Sequence, residues 1–101
     1  MKRPLAVVVQ LPATREIETI DAWWRANRPA APELFVLELE RTLAILALAP
    51  TMGSPARSER VRGVKRVMLR KTRYHVYYRA NGDALEVLAV WHAVRGEGPA
   101  L

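Results

Sequence analysis

The sequence predicts an α+β fold of the order β-α-α-β-β-β, with a helical hairpin packed on one face of an antiparallel sheet. Apolar residues recur at helical spacing in two segments of the first half of the chain. From about Val61 the spacing becomes alternating, which is typical of strands. The pair Asn81-Gly82, a strong hairpin signal, then separates two β-favouring segments. At 101 residues the chain is expected to form one domain over 1–101.

The first half of the chain supplies one strand and two helices. Residues 5–10 are rich in valine and predict a buried strand. A helix is expected from about residue 12 to 27, because one stripe of apolar residues recurs there, formed by Ala13, Ile17, Ile20 and Trp24. The second helix should run from Pro32-Glu33 to Ala49 on the stripe Phe35, Leu39, Leu43 and Leu46. Most of its circumference is apolar, so we expect it to be covered on more than one side.

The second half supplies a loop at 50–55 and then three strands, at 64–70, 74–80 and 85–92. A two-residue turn at Asn81-Gly82 would pair Tyr78 with Leu85. One sheet face would then carry Tyr74, Val76, Tyr78, Leu85, Val87, Ala89 and Trp91. The other face would carry His75, Tyr77, Arg79, Glu86, Leu88, Val90 and His92, and both histidines would therefore lie on the mixed, charged face.

The positive charge of the chain is concentrated in one block. The net charge is +6, yet residues 1–56 are neutral and residues 80–101 carry −2. The block at 57–79 carries +8, from Glu59 and nine basic residues: Arg57, Arg60, Arg62, Lys65, Arg66, Arg70, Lys71, Arg73 and Arg79. Such a block is typical of a surface that meets a polyanion or an acidic protein, although a solubilising sheet face would look the same.

Several classes of protein are disfavoured by the composition. The chain has no cysteine, which excludes disulfides and cysteine-based zinc sites and fits the cytoplasm, where we expect the protein to act. No segment approaches the ~20 apolar residues of a membrane span. Two histidines without carboxylates at ligand spacing do not predict a metal site, and no cofactor is expected. Helix-turn-helix, zinc-finger and basic-helix patterns are missing, so direct sequence-specific DNA binding is disfavoured.

Several short segments, in their order and spacing, resemble those of a known family. They are the opening strand, Ile20-Asp21-Ala22-Trp23-Trp24, the segment 48–53, Val64-Lys65-Arg66, the aromatic run 74–79 that ends in Tyr78-Arg79, and the closing segment 87–95. Together they resemble the RelE/ParE superfamily of toxins, also called plasmid stabilisation proteins, over nearly the whole chain. The resemblance implies the toxin of a type II toxin–antitoxin pair, held by a cognate antitoxin.

The resemblance leaves two cellular targets open. RelE-like members cut mRNA on the ribosome, whereas ParE-like members inhibit DNA gyrase and cut nothing. The ending Trp91-His92-x-x-Arg95 looks more like the ParE branch, so gyrase is the favoured target and catalysis is not expected. An mRNA endonuclease, or an inactive member that serves for antitoxin binding and autorepression, remains the alternative.

Candidate site residues follow from the block and the resemblance. An RNA-cleaving member would need proton-transfer groups and cations, for which the chain offers His92, His75, Arg66, Arg79 and Arg95. For the target surface we expect the same five residues together with Trp91. Each histidine could also be an ordinary polar strand residue.

An antitoxin surface is the remaining expectation. The resemblance implies an antitoxin with a ribbon-helix-helix domain that reads the operator, so that the toxin meets DNA only through it. Its acidic C-terminal tail would lay a helix along the helical hairpin and add a strand to the sheet. The residues expected at this surface are Trp23, Leu34, Leu37, Arg62, Arg70 and Arg73.

Overall fold

The computed structural model describes residues 3–94 and 99 and contains one mixed sheet with two helices on one of its faces. The elements are β1 (Ala6–Val9), α1 (Leu11–Asn27), α2 (Leu34–Leu48), β2 (Ser54–Pro55), β3 (Lys65–Met68), β4 (Tyr74–Asn81) and β5 (Ala84–His92). The strand order is β1-β5-β4-β3-β2, in which β1 is parallel to β5 and the other pairs are antiparallel. The predicted fold class is confirmed, and the short β2 lies in the segment expected to be loop.

Both helices pack the stripes that their spacing predicts against the core, with some residues buried and the others partly buried. In α1, Ala13 is buried, and Pro12 occupies the first turn, where its missing N–H costs no hydrogen bond. In α2, Phe35 and Leu39 are buried and join Ala13 in the main core against the sheet. Neither helix is long and apolar enough to cross a membrane.

The prediction that the first strand is buried is wrong. Strand β1 forms one edge of the sheet and pairs only with β5. Its valines Val7, Val8 and Val9 are 42%, 44% and 36% exposed, since the described residues place no further strand beyond them. Their apolar run reflects β-propensity and a position at the edge of the sheet.

The predicted register of the β4–β5 hairpin is also wrong. The two-residue turn consists of Gly82 and Asp83, so Asn81 pairs with Ala84. Gly82 has φ 59°, as the first position of a type II′ turn demands. A β-bulge follows, because Tyr78 pairs with Val87 while Tyr77 pairs with Ala89. The unmatched residue is therefore Leu88, and the alternation of faces in β5 shifts by one residue there.

Two sets of polar contacts join the helical layer to the sheet. The fully buried Tyr78 donates its hydroxyl hydrogen to the carbonyl of Pro50 and accepts the N–H of Gly53, both at 2.9 Å. The carboxylate of Glu38, on α2, accepts the backbone N–H groups of Lys71 and Thr72 and the hydroxyl of Thr72. These contacts fix the loop after α2 and the turn before β4.

Candidate functional site

The face of the sheet turned away from the helices, called the outer face below, carries part of the expected target surface. Arg66 pairs with Tyr77, and His75 pairs with Trp91. Tyr77 is buried in a small second core with Val64 and Ala89. The β2–β3 loop covers this core with Ala56 and Val61, while the Arg66 side chain stays exposed. The outer face therefore presents cationic and aromatic groups beside a closed apolar patch.

His75 and Arg66 are electrostatically coupled on the outer face. Partial burial, and secondarily the positive charge of Arg66, hold the pKa of His75 below its ordinary value of 6.5. At neutral pH His75 is consequently an uncharged imidazole. It can donate one hydrogen bond from its protonated ring nitrogen and accept one at the other, but it does not add to the positive charge of the block.

Acid should destabilise the protein in part through His75. Because its pKa is lower in the folded than in the unfolded chain, the unfolded chain binds a proton first, and stability falls as pH drops through 6.5. The loss levels off below the folded pKa. We expect the urea midpoint to fall less between pH 7.5 and 5 in His75→Gln than in the native protein. Equal losses in both proteins would contradict the assignment.

Arg79, also on the outer face, is engaged within the chain. Its guanidinium forms a salt bridge with Glu86, which also accepts hydrogen bonds from the side-chain amides of Gln10 and Asn81. The hydrogen bond from Arg79 is the main reason that the pKa of Glu86 lies below its ordinary value. Arg79 is thus largely neutralised and less available to a phosphate or carboxylate than Arg66.

The bulge places the two histidines on opposite faces, which corrects the expectation that both lie on the charged face. Beyond Leu88, Val90 packs in the core on the helix side, and Ala89 packs on the outer face. His92 follows Val90 and sets its ring edge-on to Tyr74, with centroids 5.0 Å apart. His92 Nδ1 accepts the N–H of Val94, so in the neutral ring the proton resides on Nε2.

A groove beside α1 receives His92. Two adjoining cavities of about 430 and 540 Å³ lie between α1 and the ends of β4 and β5. Trp23, which is 44% exposed, lines the second cavity, and the indole N–H of Trp24 donates to the Tyr74 hydroxyl at 3.2 Å. Nothing in the residue spacing predicted this groove, because it depends on the bulge at Leu88.

The other expected antitoxin residues are distributed around the molecule. Leu37 is 42% exposed on α2 and Leu34 is partly exposed, but neither lines the groove that contains Trp23. Arg62, Arg70 and Arg73 are exposed in the β2–β3 loop and the β3–β4 turn, and Arg73 adopts a positive φ of 70°. Arg95 lies outside the described residues.

Sequence reasoning also missed Glu16. This carboxylate on α1 accepts the backbone N–H of Val90 at 2.9 Å and so satisfies a donor close to the irregularity in β5. It connects α1 to the end of the sheet and forms part of the groove wall. A glutamate off the apolar stripe of a helix is ordinarily solvent-exposed, and only the tertiary structure identifies this one as a structural residue.

The described residues do not bring the candidate RNA-cleavage groups together on one face of the sheet. RNA cleavage needs a proton acceptor, a proton donor and cations around one phosphate. Here His75 and His92 are separated by the sheet, and Arg79 is neutralised by Glu86. Among the described residues no group of three histidines or carboxylates could hold a metal ion. What remains together on the outer face is Arg66, His75 and Trp91.

Solved structures of three other proteins share this fold. The chromosomal ParDE toxin–antitoxin system of P. aeruginosa matches with a TM-score of 0.71 at 17% identity, over 87% of this chain and 95% of that chain. The RelBE2 toxin–antitoxin complex of Mycobacterium tuberculosis matches at 0.57 and 22% identity, over 89% and 99%. A mutant of the E. coli toxin RelE in the free state matches at 0.56 and 16% identity, over 93% and 88%. No significant match to a curated protein was found.

A helical hairpin packed on a sheet of this strand order is the RelE/ParE fold. The model of the ParE toxin family of type II toxin–antitoxin systems (parDE) matches residues 7–96. The chain belongs to this family.

Proposed function

We propose that this ParE-family toxin inhibits DNA gyrase in the cytoplasm by binding it, without performing chemistry of its own. The observation that carries the proposal is the separation of the two histidines by the sheet, which leaves no acid–base pair around one phosphate. The contact surface would include Arg66, His75 and Trp91 of the outer face, with the charge of Arg66 supplying most of the affinity and the uncharged His75 little of it. Arg79 would act indirectly, by orienting Glu86.

The toxin would be held inactive by a cognate antitoxin with a ribbon-helix-helix domain and an acidic C-terminal tail. Exposed cations Arg62, Arg70 and Arg73 offer partners for such a tail. The β1 edge, beside which the described residues place no further strand, carries apolar valines and could accept an added strand. Trp23 and Leu37 are half-exposed anchors on α1 and α2. Operator DNA would be contacted by the antitoxin alone.

The target can be tested by inducing the toxin in cells. Gyrase inhibition should induce the DNA-damage response and relax plasmid supercoils, while primer extension on translated mRNA shows no new ends. Cells that express the toxin together with its antitoxin serve as the control. Cuts at codon-related positions in mRNA, with unchanged supercoiling, would overturn the proposal.

An mRNA endonuclease is the second candidate, and one observation favours it. The lowered pKa of His75 makes this imidazole an uncharged proton acceptor at neutral pH, beside the exposed cation Arg66. The ribosome could then position the mRNA so that its 2′-hydroxyl lies beside His75 and its phosphate beside Arg66. This candidate requires His75 to be essential.

Removal of either histidine should leave toxicity largely intact. We expect His75→Ala and His92→Ala to keep growth inhibition within about threefold of the native protein, a change of about 0.6 kcal/mol in target binding. The measurement is growth after induction at matched protein levels, with antitoxin binding as a check of folding. If one variant lost toxicity while it still bound the antitoxin, the endonuclease would become the better account.

A further inference from the structure

The densest positive charge of the molecule lies along one side of the sheet, around β3. The loop before β3 spans residues 56–64, and the turn after it spans residues 69–73. Over 57–73 the single acidic residue is Glu59. The exposed cations of this segment are called the basic strip below, and they are Arg57, Arg60, Arg62, Arg66, Arg70, Lys71 and Arg73. A surface of this kind attracts a polyanion.

The cations of the basic strip are not engaged by carboxylates of the described chain. Among the residues that the structure describes, the salt bridges join Arg25 to Asp21 and Glu33, and Arg79 to Glu86. None of these pairs includes a cation of the strip. The strip can therefore form charge-assisted hydrogen bonds with an incoming anion without first breaking an ion pair.

The turn after β3 holds its cations on a fixed backbone. The Arg73 N–H donates to the Leu69 carbonyl at 2.8 Å, and the carboxylate of Glu38 accepts the N–H groups of Lys71 and Thr72 at 2.8 and 3.0 Å. Arg73 has a φ of 70°, a backbone conformation that a residue with a side chain keeps only where its surroundings fix it. Because the turn is already ordered, less conformational freedom is lost when a ligand binds to it.

The basic strip offers charge without an exposed apolar anchor. The large exposed apolar side chains that flank it in sequence are Met52 and Val94, and both lie outside 57–73. An amphipathic peptide needs apolar contacts between its charges, whereas the backbone of a nucleic acid presents a continuous row of phosphates. All cations of the strip except Lys71 are arginines, whose guanidinium groups can form two parallel hydrogen bonds with one phosphate. The strip therefore fits a phosphate backbone.

The strip is better suited to a duplex than to a single strand. Proteins hold single strands largely by stacking the bases on aromatic side chains. The segment 57–73 contains no aromatic residue, and Tyr77, which pairs with Arg66, is buried. In a duplex the bases stack on each other, so contacts with phosphates suffice for binding. Arg66 and Arg70 are at most about 14 Å apart along the chain, the length of about four base pairs.

We propose that the basic strip binds the phosphate backbone of duplex DNA, irrespective of base sequence, and that the toxin thereby contacts the DNA that gyrase holds. The choice of gyrase-held DNA rests on the proposed function. Arg66 lies between the loop and the turn, so the strip adjoins the proposed gyrase contact. An antitoxin tail on Arg62 or Arg70 would cover part of the strip, and DNA binding is therefore a property of the free toxin.

Binding of the native toxin to a labelled 20-base-pair duplex of random sequence tests the inference. In fluorescence anisotropy the logarithm of the association constant should fall with the logarithm of the salt concentration, with a slope of about −3 to −5. Changing the base sequence of the duplex should alter the affinity less than twofold. A duplex that did not bind in low salt would overturn the inference.

Two double variants remove cations from the strip without touching Arg66. Arg57→Gln with Arg60→Gln in the loop, and Arg70→Gln with Lys71→Gln in the turn, should each weaken duplex binding at least fivefold and reduce the salt slope by about 1–2. Arg15→Gln with Arg41→Gln is the matched control, because it removes the same charge from exposed sites on α1 and α2. The control should bind within twofold of the native toxin, and thermal midpoints check folding. Equal losses in the control and the strip variants would overturn the inference.

Gyrase supplies the second readout. Both strip variants should need at least threefold more toxin to inhibit supercoiling, while their affinity for gyrase without DNA stays unchanged. Weaker binding to DNA-free gyrase would assign the strip to a protein contact and overturn the inference. Inhibition of supercoiling by a native toxin that binds no duplex would overturn it as well, but would leave the proposed function standing. Duplex binding without any inhibition of supercoiling would overturn the proposed function. A 20-nucleotide single-stranded RNA that bound tenfold more tightly than the duplex would overturn the assignment to DNA.

Discussion

Replacing Gly53 with alanine should lower the free energy of unfolding by about 2–4 kcal/mol. A Cβ atom there would lie 2.5 Å from the Tyr78 hydroxyl oxygen and 2.9 Å from the carbonyl oxygen of Arg66. Neither can retreat easily, since Tyr78 is fully buried and Arg66 is paired in the sheet. Relief of the clash would break the hydrogen bonds of the Tyr78 hydroxyl with Gly53 and Pro50.

Urea unfolding followed by circular dichroism measures this effect, and the thermal midpoint should fall by roughly 10–20 °C. Gly63→Ala is a useful control, because Gly63 has a positive φ of 72° but no atom within 4 Å of the added Cβ. The free energy of unfolding of Gly63→Ala should fall only by the cost of placing alanine in the left-handed backbone region, about 1–2 kcal/mol. Equal losses at Gly53 and Gly63 would show that the Tyr78 contact contributes little.

Reversing the charge of Arg66 should abolish growth inhibition. Arg66 is an exposed cation of the proposed target surface beside His75, whereas Arg79 is paired with Glu86. Arg66→Glu replaces an attraction with a repulsion at the centre of that surface, and we expect gyrase binding to weaken at least about 30-fold, or about 2 kcal/mol. Since the side chain is exposed, the thermal midpoint should change little.

The readouts are growth after induction and the affinity for purified gyrase in low salt. Arg41→Glu carries the same change of charge on the helical side of the molecule and should remain toxic. Antitoxin binding by Arg66→Glu checks that the variant is folded. Full toxicity of a folded Arg66→Glu protein would contradict the proposal that the outer face binds gyrase.

The elements of this fold follow from local patterns in the sequence. The apolar stripes through Ala13 and Phe35 predicted the two helices, because apolar residues that recur every three or four positions are typical of an amphipathic helix. The exposed edge position of β1 could not be predicted, since a valine run looks alike at an edge and in the centre of a sheet.

The site could be predicted only in part. His75 was placed correctly on the face that also carries Tyr77 and Arg79, because β4 keeps a regular alternation, whereas the position of Arg66 opposite Tyr77 comes from the structure alone. The placement of His92 was wrong, because one unmatched residue, Leu88, exchanges the faces of every residue after it. No local signal marks Leu88, so the groove and the separation of the histidines emerge only from the three-dimensional structure.

The most direct test of the account is a supercoiling assay with purified DNA gyrase, relaxed plasmid and the native toxin. We predict dose-dependent loss of supercoiling that is prevented by prior addition of the antitoxin and abolished by Arg66→Glu, but retained in His75→Ala and His92→Ala. Undiminished supercoiling in the presence of folded toxin, together with cleavage of mRNA on translating ribosomes, would contradict the account.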